Sequence, residues 1–497
     1  MNGITKSITF LKEYKQLKQA VDEGKTPVLA VGLSAIHKAH LAAALGLDTD
    51  RPVLVLTDDD NAANRFAADL RGFSERDIVQ LPSRELVMAD VVGVSRGYEQ
   101  RRLAALDELT EAHFAVASVQ AAAQRTMPPE ALKAAIVSLA TGETAPLDEL
   151  AQSLTRAGYE RCVQVEGTGQ FSIRGGILDV FPPQAEHPYR VEFWDDEIDS
   201  ISTFDVGSQR RLEQCECLRC LPCMESIPAL AKGGAAGLAK AVLALTSTRR
   251  KKQHADLQTN LERDAERLRE TGSLPAADKY MPLIYPEMAT AFDYLPENAI
   301  VIIEDTPRLR DAVRDFHARV ADDVTALLER GEMPPALGEY ALDFVGVCSM
   351  KRQILRLDSF LNNVAELTPQ HLENFIANQM NAYGGNLDMA SADIRSYTEQ
   401  GRAVAVVCGS VLRCQNMLDA LTDTGLNVKI SDLLPKGGCV NIMEGTLSAG
   451  FEYPDLGLVV MTEGQVLARR KKTQVKKSNR DKVKSYTDLT PGDLVVH

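Results

Sequence analysis

The sequence predicts a multidomain α/β protein. A parallel-sheet unit should carry a small inserted α+β unit and be followed by a further small α/β unit. Three observations predict this. Short apolar runs alternate with helix-like segments through the first third of the chain. Between Phe171 and Asp205 the pattern becomes short strands with tight turns. A buried-type strand, Ala299–Glu304 (AIVIIE), then reappears beyond that stretch. The 497 residues are also too many for a single core.

Taken in order, Pro27–Val31 (PVLAV) reads as a strand leading through a loop into the helix-like IHKAHLAAAL. Pro52–Thr57 (PVLVLT) repeats the pattern with DNAANRFAADLRGF as its helix, and Ile78–Leu81 and Phe114–Val119 (FAVASV) are further strands. Residues 1–125 are therefore the first part of the parallel-sheet unit. The texture changes near Thr126–Pro129, and residues 126–222 form the inserted unit. There FSIRGGILDVFPP, YRVEFWDD and EIDSISTFD make an antiparallel meander with Pro- and Asp-rich connections. Residues 223–345 return to the first sheet through Ala299–Glu304, after a helical stretch whose basic run Arg249–Lys252 suits a solvated face. AVAVVC, the helix VLRCQNMLDALTDTG and the strands CVNIM and LGLVVM predict a separate small α/β unit over 346–466. Residues 467–484 read as a basic linker without apolar periodicity, and 485–497 (SYTDLTPGDLVVH) as a turn and strand opening another unit.

Hydrophobic residues make up 45% and charged residues 25%, as in ordinary globular protein. No apolar run reaches the roughly 18 residues of a membrane span, and the charged N-terminus lacks a secretory h-region. Nine cysteines, an odd number in a long chain, argue for a reducing cytoplasm rather than a disulfide framework. The formal charge of −14 favours protein partners over nucleic acid.

Three constellations carry chemistry. After PVLAV stands Gly32-Leu33-Ser34-Ala35-Ile36-His37-Lys38-Ala39, a partial match to the phosphate-binding G-x-x-x-x-G-K-[ST]. Gly32 and Lys38 keep their places. His37 replaces the second glycine and is expected to crowd the phosphate approach, and Ala39 has no hydroxyl for magnesium. An ordinary strand-to-helix loop explains the match equally well. The acidic pair that should complete such a site falls on Glu304 and Asp305. Second, in YRVEFW a strand puts Val191 and Phe193 on one face and Arg190, Glu192 and Trp194 on the other. Trp194 is the only tryptophan, and Trp with Arg on an exposed face is the composition of a binding hot spot; the plainer alternative is a tryptophan covering a core edge. Arg174, before two glycines, should lie nearby. Third, Cys215, Cys217, Cys220 and Cys223 have a spacing that could offer thiolates to zinc. Packing as small buried hydrophobes is the expected role, so no metal is assigned.

RGGILDVFP (174–182), YRVEFWDDEIDS (189–200), FDVGSQR (204–210), FDYLP (292–296) and VASV (116–119) resemble UvrB and, more closely, the N-terminal module of the transcription-repair coupling factor family. The resemblance runs in order over nearly the whole chain. It implies a degenerate UvrB-like, RecA-like P-loop unit, an inserted UvrA-interaction unit, and at 485–497 the start of a CarD-like RNA-polymerase-interacting domain. UvrB's acidic strand ends in Asp-Glu-Ser-His, whereas here it ends in Glu304-Asp305-Thr306-Pro307. UvrB's tyrosine-rich DNA hairpin has no room after Leu81–Arg84. The resemblance therefore implies UvrA recruitment through Arg174, Arg190 and Trp194, with no catalysis and no cofactor in this chain. In the family, ATP and magnesium belong to a translocase motor beyond the polymerase-binding domain. Contact with the RNA polymerase β subunit and with DNA is expected only in the full-length protein. The alternative is an active UvrB-like nucleotide-dependent repair helicase subunit.

Overall fold

The structure is a computed structural model that describes residues 3–88, 96–245, 255–334, 337, 339–380, 382–433 and 437–467. The basic run Arg249–Lys252, nearly all of the expected linker and the segment 485–497 lie outside the described residues.

Seven parallel strands form the first sheet, in the order His371–Asn374, Val28–Val31, Gln353–Leu357, Ile300–Glu304, Val53–Thr57, Phe114–Ser118, Ile78–Leu81. The runs of Val, Ile and Leu in Val28–Val31, Val53–Thr57 and Ile300–Glu304 are nearly continuous because both faces are covered. Alternation sends Leu54, Leu56, Val301 and Ile303 to one face. That face packs under the helices Gly97–Leu109, Ala255–Thr271 and Thr306–Glu329. Val53, Val55, Ile300 and Ile302 face the helices Ala35–Thr49 and Asp60–Phe73. Ile300–Glu304 thus rejoins the first sheet after the insertion. The expected boundary at 346 lies too early, because Gln353–Leu357 and His371–Asn374 are still strands of this sheet.

The third sheet begins only at Asn378–Gln379. Its order is Asn378–Gln379, Phe451–Tyr453, Leu458–Thr462, Ala403–Cys408, Val440–Glu444, Val428–Ile430. It is not free of the first unit: Phe451, Tyr453 and Val460 share a core with Ile36, Phe66 and Phe73.

The inserted unit is a six-stranded sheet, Arg211–Cys215, Glu197–Phe204, Tyr189–Trp194, Ile177–Val180, Gln170–Arg174, Glu160–Arg161, antiparallel except for its last pair. Val137–Ala140 and Cys217–Cys220 form a separate two-stranded ladder. The helix Leu147–Arg156 buries Leu150 and Leu154 in a core with Leu178, Val191 and Ile201. Each such side chain contributes roughly 1.5–3 kcal/mol of transfer free energy.

A buried charge network fixes the insertion to the body. Arg84 Nε donates to Glu225 Oε1 at 2.7 Å and Arg84 Nη1 to Asp278 Oδ2 at 2.6 Å. Arg102 Nε lies 3.1 Å from Glu225 Oε1, and the Thr126 hydroxyl donates to Glu225 Oε2 at 2.6 Å. Thr126 lies on the way into the inserted unit and Glu225 on the way out, so one carboxylate ties both passages together. Thr168 Oγ1 donates to Gln100 Oε1 at 2.9 Å, and Arg219 Nη2 to Asp107 Oδ1 at 2.7 Å, docking the insertion on the helix Gly97–Leu109. Among the described residues no helix is long and apolar enough to cross a membrane.

Candidate functional site

The outer face of the six-stranded sheet is built by cross-strand register. Ser172, Asp179, Arg190 and Ser202 stand in one row, and Arg174, Ile177, Glu192 and Ser200 in the next. Below them Val191 is fully buried and Phe193 packs on the core. Trp194 ends its strand just before a two-residue turn in which Asp195 takes φ 58°, and it is 82% exposed. An indole so exposed does not cover a core edge.

Arg174 is the last residue of Gln170–Arg174, one strand further from Trp194 than a direct hairpin would place it. What unites it with Arg190 is a residue the sequence reading missed, Asp179. Arg190 Nε and Nη2 donate to Asp179 Oδ1 and Oδ2 at 2.7 and 2.9 Å, and Arg174 Nη2 donates to Oδ2 at 2.7 Å. The Asp179 side chain is almost wholly buried. Arg190 also lies 4.4 Å above the Phe204 ring and donates from Nη2 to Gln209 Oε1 at 3.2 Å. Its hydrogen bonds to Asp179 push its pKa above the ordinary arginine value. Glu192 accepts from Arg211 and from Ser200 Oγ, which hold its carboxyl below the usual range. Arg190 is thus a largely committed cation, whereas Arg174 and Trp194 are presented to solvent. A clue was available: Asp179 is the single polar residue in the otherwise apolar ILDVF.

The second constellation lies at the carboxyl ends of the parallel strands. Gly32 has φ 82°, and a Cβ there would collide with the Phe375 carbonyl, so the loop after Val28–Val31 is closed by the chain's own backbone. A cleft of about 290 Å³ opens beside it, lined by Ser34, Lys38, Asp58, Arg65, Glu304 and Asp305 among others. Lys38 is buried with its Nζ 3.9 Å from Glu304 Oε1; burial raises the Glu304 pKa, partly offset by Lys38. Asp305 sits at φ 61° and accepts from Ser359 Oγ at 3.1 Å.

His37 does not crowd this cleft. It is fully buried, with its ring 5.3 and 5.1 Å from those of Phe451 and Tyr453, and its Nδ1 is 2.8 Å from Ser34 Oγ. Burial holds its pKa down at about 4. The residue that departs from the phosphate-loop pattern serves as a packing surface for the third sheet. Ala39 is buried as well. Arg65, Asp58 and Asp69 of the same cleft went unnoticed in the sequence because they lie on the next strand-to-helix connection and its helix.

The cysteine run is divided between two sheets. Cys215 ends a strand of the six-stranded sheet, whereas Cys217 opens the ladder opposite Ala140. Cys217 is exposed; Cys220 and Cys223 are buried near Tyr159, and burial pushes the Cys220 thiol up to about 12. Among the described residues no three or more His, Cys, Asp or Glu side chains gather as metal ligands would.

Residues 137–225, which hold this outer sheet face, match the family described as the UvrB interaction domain. Over 98% of its length the chain is 31% identical to the transcription-repair-coupling factor of Bacillus subtilis (strain 168), covering 43% of that protein. It is 26% identical to the Staphylococcus haemolyticus protein of the same name over 95% of the chain and 41% of the relative. The Staphylococcus aureus (strain MRSA252) counterpart is 24% identical over 98% and 43%. The chain is a relative of the transcription-repair coupling factors. It spans about two-fifths of the length of the curated relatives it matches.

Proposed function

We propose that this chain recruits UvrA in transcription-coupled nucleotide excision repair, as a cytoplasmic scaffold and regulatory module. The observation that carries the reading is the coincidence of the UvrB-interaction-domain match with an exposed Trp194 on the strand that also carries Arg190 of the Arg174–Asp179–Arg190 cluster. A calorimetric titration of the chain with UvrA tests it. Saturable binding is expected, and its absence would refute the proposal. RNA polymerase and DNA are proposed as partners of the full-length relatives.

The nucleotide-type cleft is proposed to be inert. Ala39 supplies no magnesium ligand, and the Lys38 ammonium lies 3.9 Å from Glu304, which partly offsets the carboxylate a metal would need. The residues do not fit a magnesium nucleotide, so no ATP-dependent step is assigned. Titration with ATP and magnesium is expected to give neither micromolar affinity nor turnover. Measurable hydrolysis would instead support the helicase alternative.

No zinc is assigned to the cysteines, because Cys215 and Cys217 belong to different sheets. Elemental analysis of protein purified without chelator is expected to find less than stoichiometric zinc. One zinc per chain, lost when Cys217 and Cys220 are changed to Ser, would overturn this.

A further inference from the structure

A cavity of about 260 Å³ opens between the helix Ala255–Thr271, the loop at 274–279 and the turn at 330–332, away from the three constellations described above. Arg263 and Arg267 come from one helix face, one turn apart. Lys279 and Arg330 come from the other two walls. Four cationic side chains therefore meet two carboxylates, Asp264 and Glu332, in a chain whose formal charge is −14.

The carboxylates are already engaged. Asp264 Oδ2 accepts from Lys279 Nζ at 2.6 Å and from the Tyr280 hydroxyl at 2.8 Å, deep in the protein. Glu332 Oε1 accepts from Arg330 Nε at 3.1 Å. Arg263 Nε stands 3.9 Å from Asp264, beyond hydrogen-bond reach. The floor of the cavity is thus a neutralised Lys279–Asp264 pair, while the Arg263 and Arg330 side chains are each more than half exposed at the mouth. Asn260 Nδ2 donates to the Gly331 carbonyl at 3.0 Å, which holds the helix and the turn at a fixed spacing.

We propose that this cavity binds a phosphate group, either as free phosphate or diphosphate or as the phosphodiester of a nucleic-acid strand. Guanidinium forks keep their charge at any physiological pH and match phosphate oxygens in pairs. The cavity is smaller than the roughly 300–1,000 Å³ of sites for drug-sized ligands, so it suits the phosphate group itself rather than an attached base. The exposed Arg330–Glu332 pair is weak in water and can yield its guanidinium to a stronger anion.

The test uses the whole chain at low salt. Sodium pyrophosphate is titrated by calorimetry, and a labelled DNA oligonucleotide by fluorescence anisotropy. Each is compared between the parent and the double variant Arg263→Gln, Arg330→Gln. Both side chains are at the surface, so the melting temperature should be unchanged. Saturable binding of at least one probe is expected, weakened at least about tenfold in the double variant. Arg314→Gln, an equal charge change on another helix, should leave it intact. Binding of pyrophosphate alone identifies free phosphate as the source; binding of the oligonucleotide identifies the phosphodiester backbone. If neither probe saturates, or if the double variant binds like the parent, or if Arg314→Gln weakens binding equally, the proposal is overturned.

Discussion

Glu225→Ala is expected to cost the chain about 3–5 kcal/mol of stability, the usual penalty for removing one partner of a buried ion pair. The reason is specific to Arg102. Its guanidinium is fully buried, and Glu225 at 3.1 Å is the carboxylate beside it; its Nη1 donates only to the backbone carbonyls of Pro82 and Ala121. Arg84 keeps Asp278 when Glu225 is lost, but Arg102 keeps no carboxylate contact of that kind. The Thr126 hydroxyl loses its acceptor in the same step. Glu225→Gln keeps one amide oxygen for Arg84, while its NH2 meets the Thr126 hydroxyl, which can turn to accept, so it should lose less. Urea unfolding followed by circular dichroism measures both. A loss below about 1 kcal/mol for Glu225→Ala would mean that water reaches the network and replaces the carboxylate.

On the outer face of the inserted sheet, Trp194→Ala is expected to weaken UvrA binding at least about tenfold, about 1.4 kcal/mol, without changing the melting temperature. Trp194 is 82% exposed, so its removal leaves no cavity. Arg174→Ala should behave similarly, since half of its side chain is exposed and Asp179 keeps the bidentate contact of Arg190. Arg190→Ala should differ. It removes that contact, uncovers Phe204 and leaves Asp179 buried with Arg174 alone. It should therefore weaken UvrA binding and lower the melting temperature together. Arg314→Ala, a surface charge change remote from this face, should alter neither. Equal losses from all the arginine variants would point to diffuse electrostatics, and unfolding by Trp194→Ala would refute its placement at the surface.

How much of this was legible follows from what each residue contacts. Pro27–Val31, Pro52–Thr57 and Ala299–Glu304 announce themselves because strands buried on both faces must be apolar throughout. His371–Asn374 (HLEN) does not. It is an edge strand with one buried side chain in the middle, Glu373, and Phe375 just beyond it, so it carries no periodicity. With neither that strand nor Gln353–Leu357 placed in the first sheet, the sequence divides the chain at 346 rather than near 378. The alternation in YRVEFW was readable because it is local. The Arg174–Asp179–Arg190 arrangement was not, since it depends on the register between three strands. His37 looked like an obstacle because motif comparison carries no direction; only the third sheet, more than four hundred positions away, reveals that its ring packs on Phe451 and Tyr453. The spacing of the cysteines left a zinc ligand set open beside packing, and it could not announce that Cys215 and Cys217 fall in different sheets.

The strand order of the first sheet also sets a timetable for synthesis. Val28–Val31 has as its only sheet neighbours Gln353–Leu357 and His371–Asn374. It leaves the ribosome more than three hundred residues before either of them exists. The inserted sheet, by contrast, draws all six strands from residues 160–215 and can close while the body around it is still incomplete. From about residue 215 until the late strands arrive, the nascent chain therefore presents a finished inserted sheet on an unfinished scaffold, with an apolar strand waiting unpaired near its N-terminus. Such an edge invites non-native pairing until the late strands arrive.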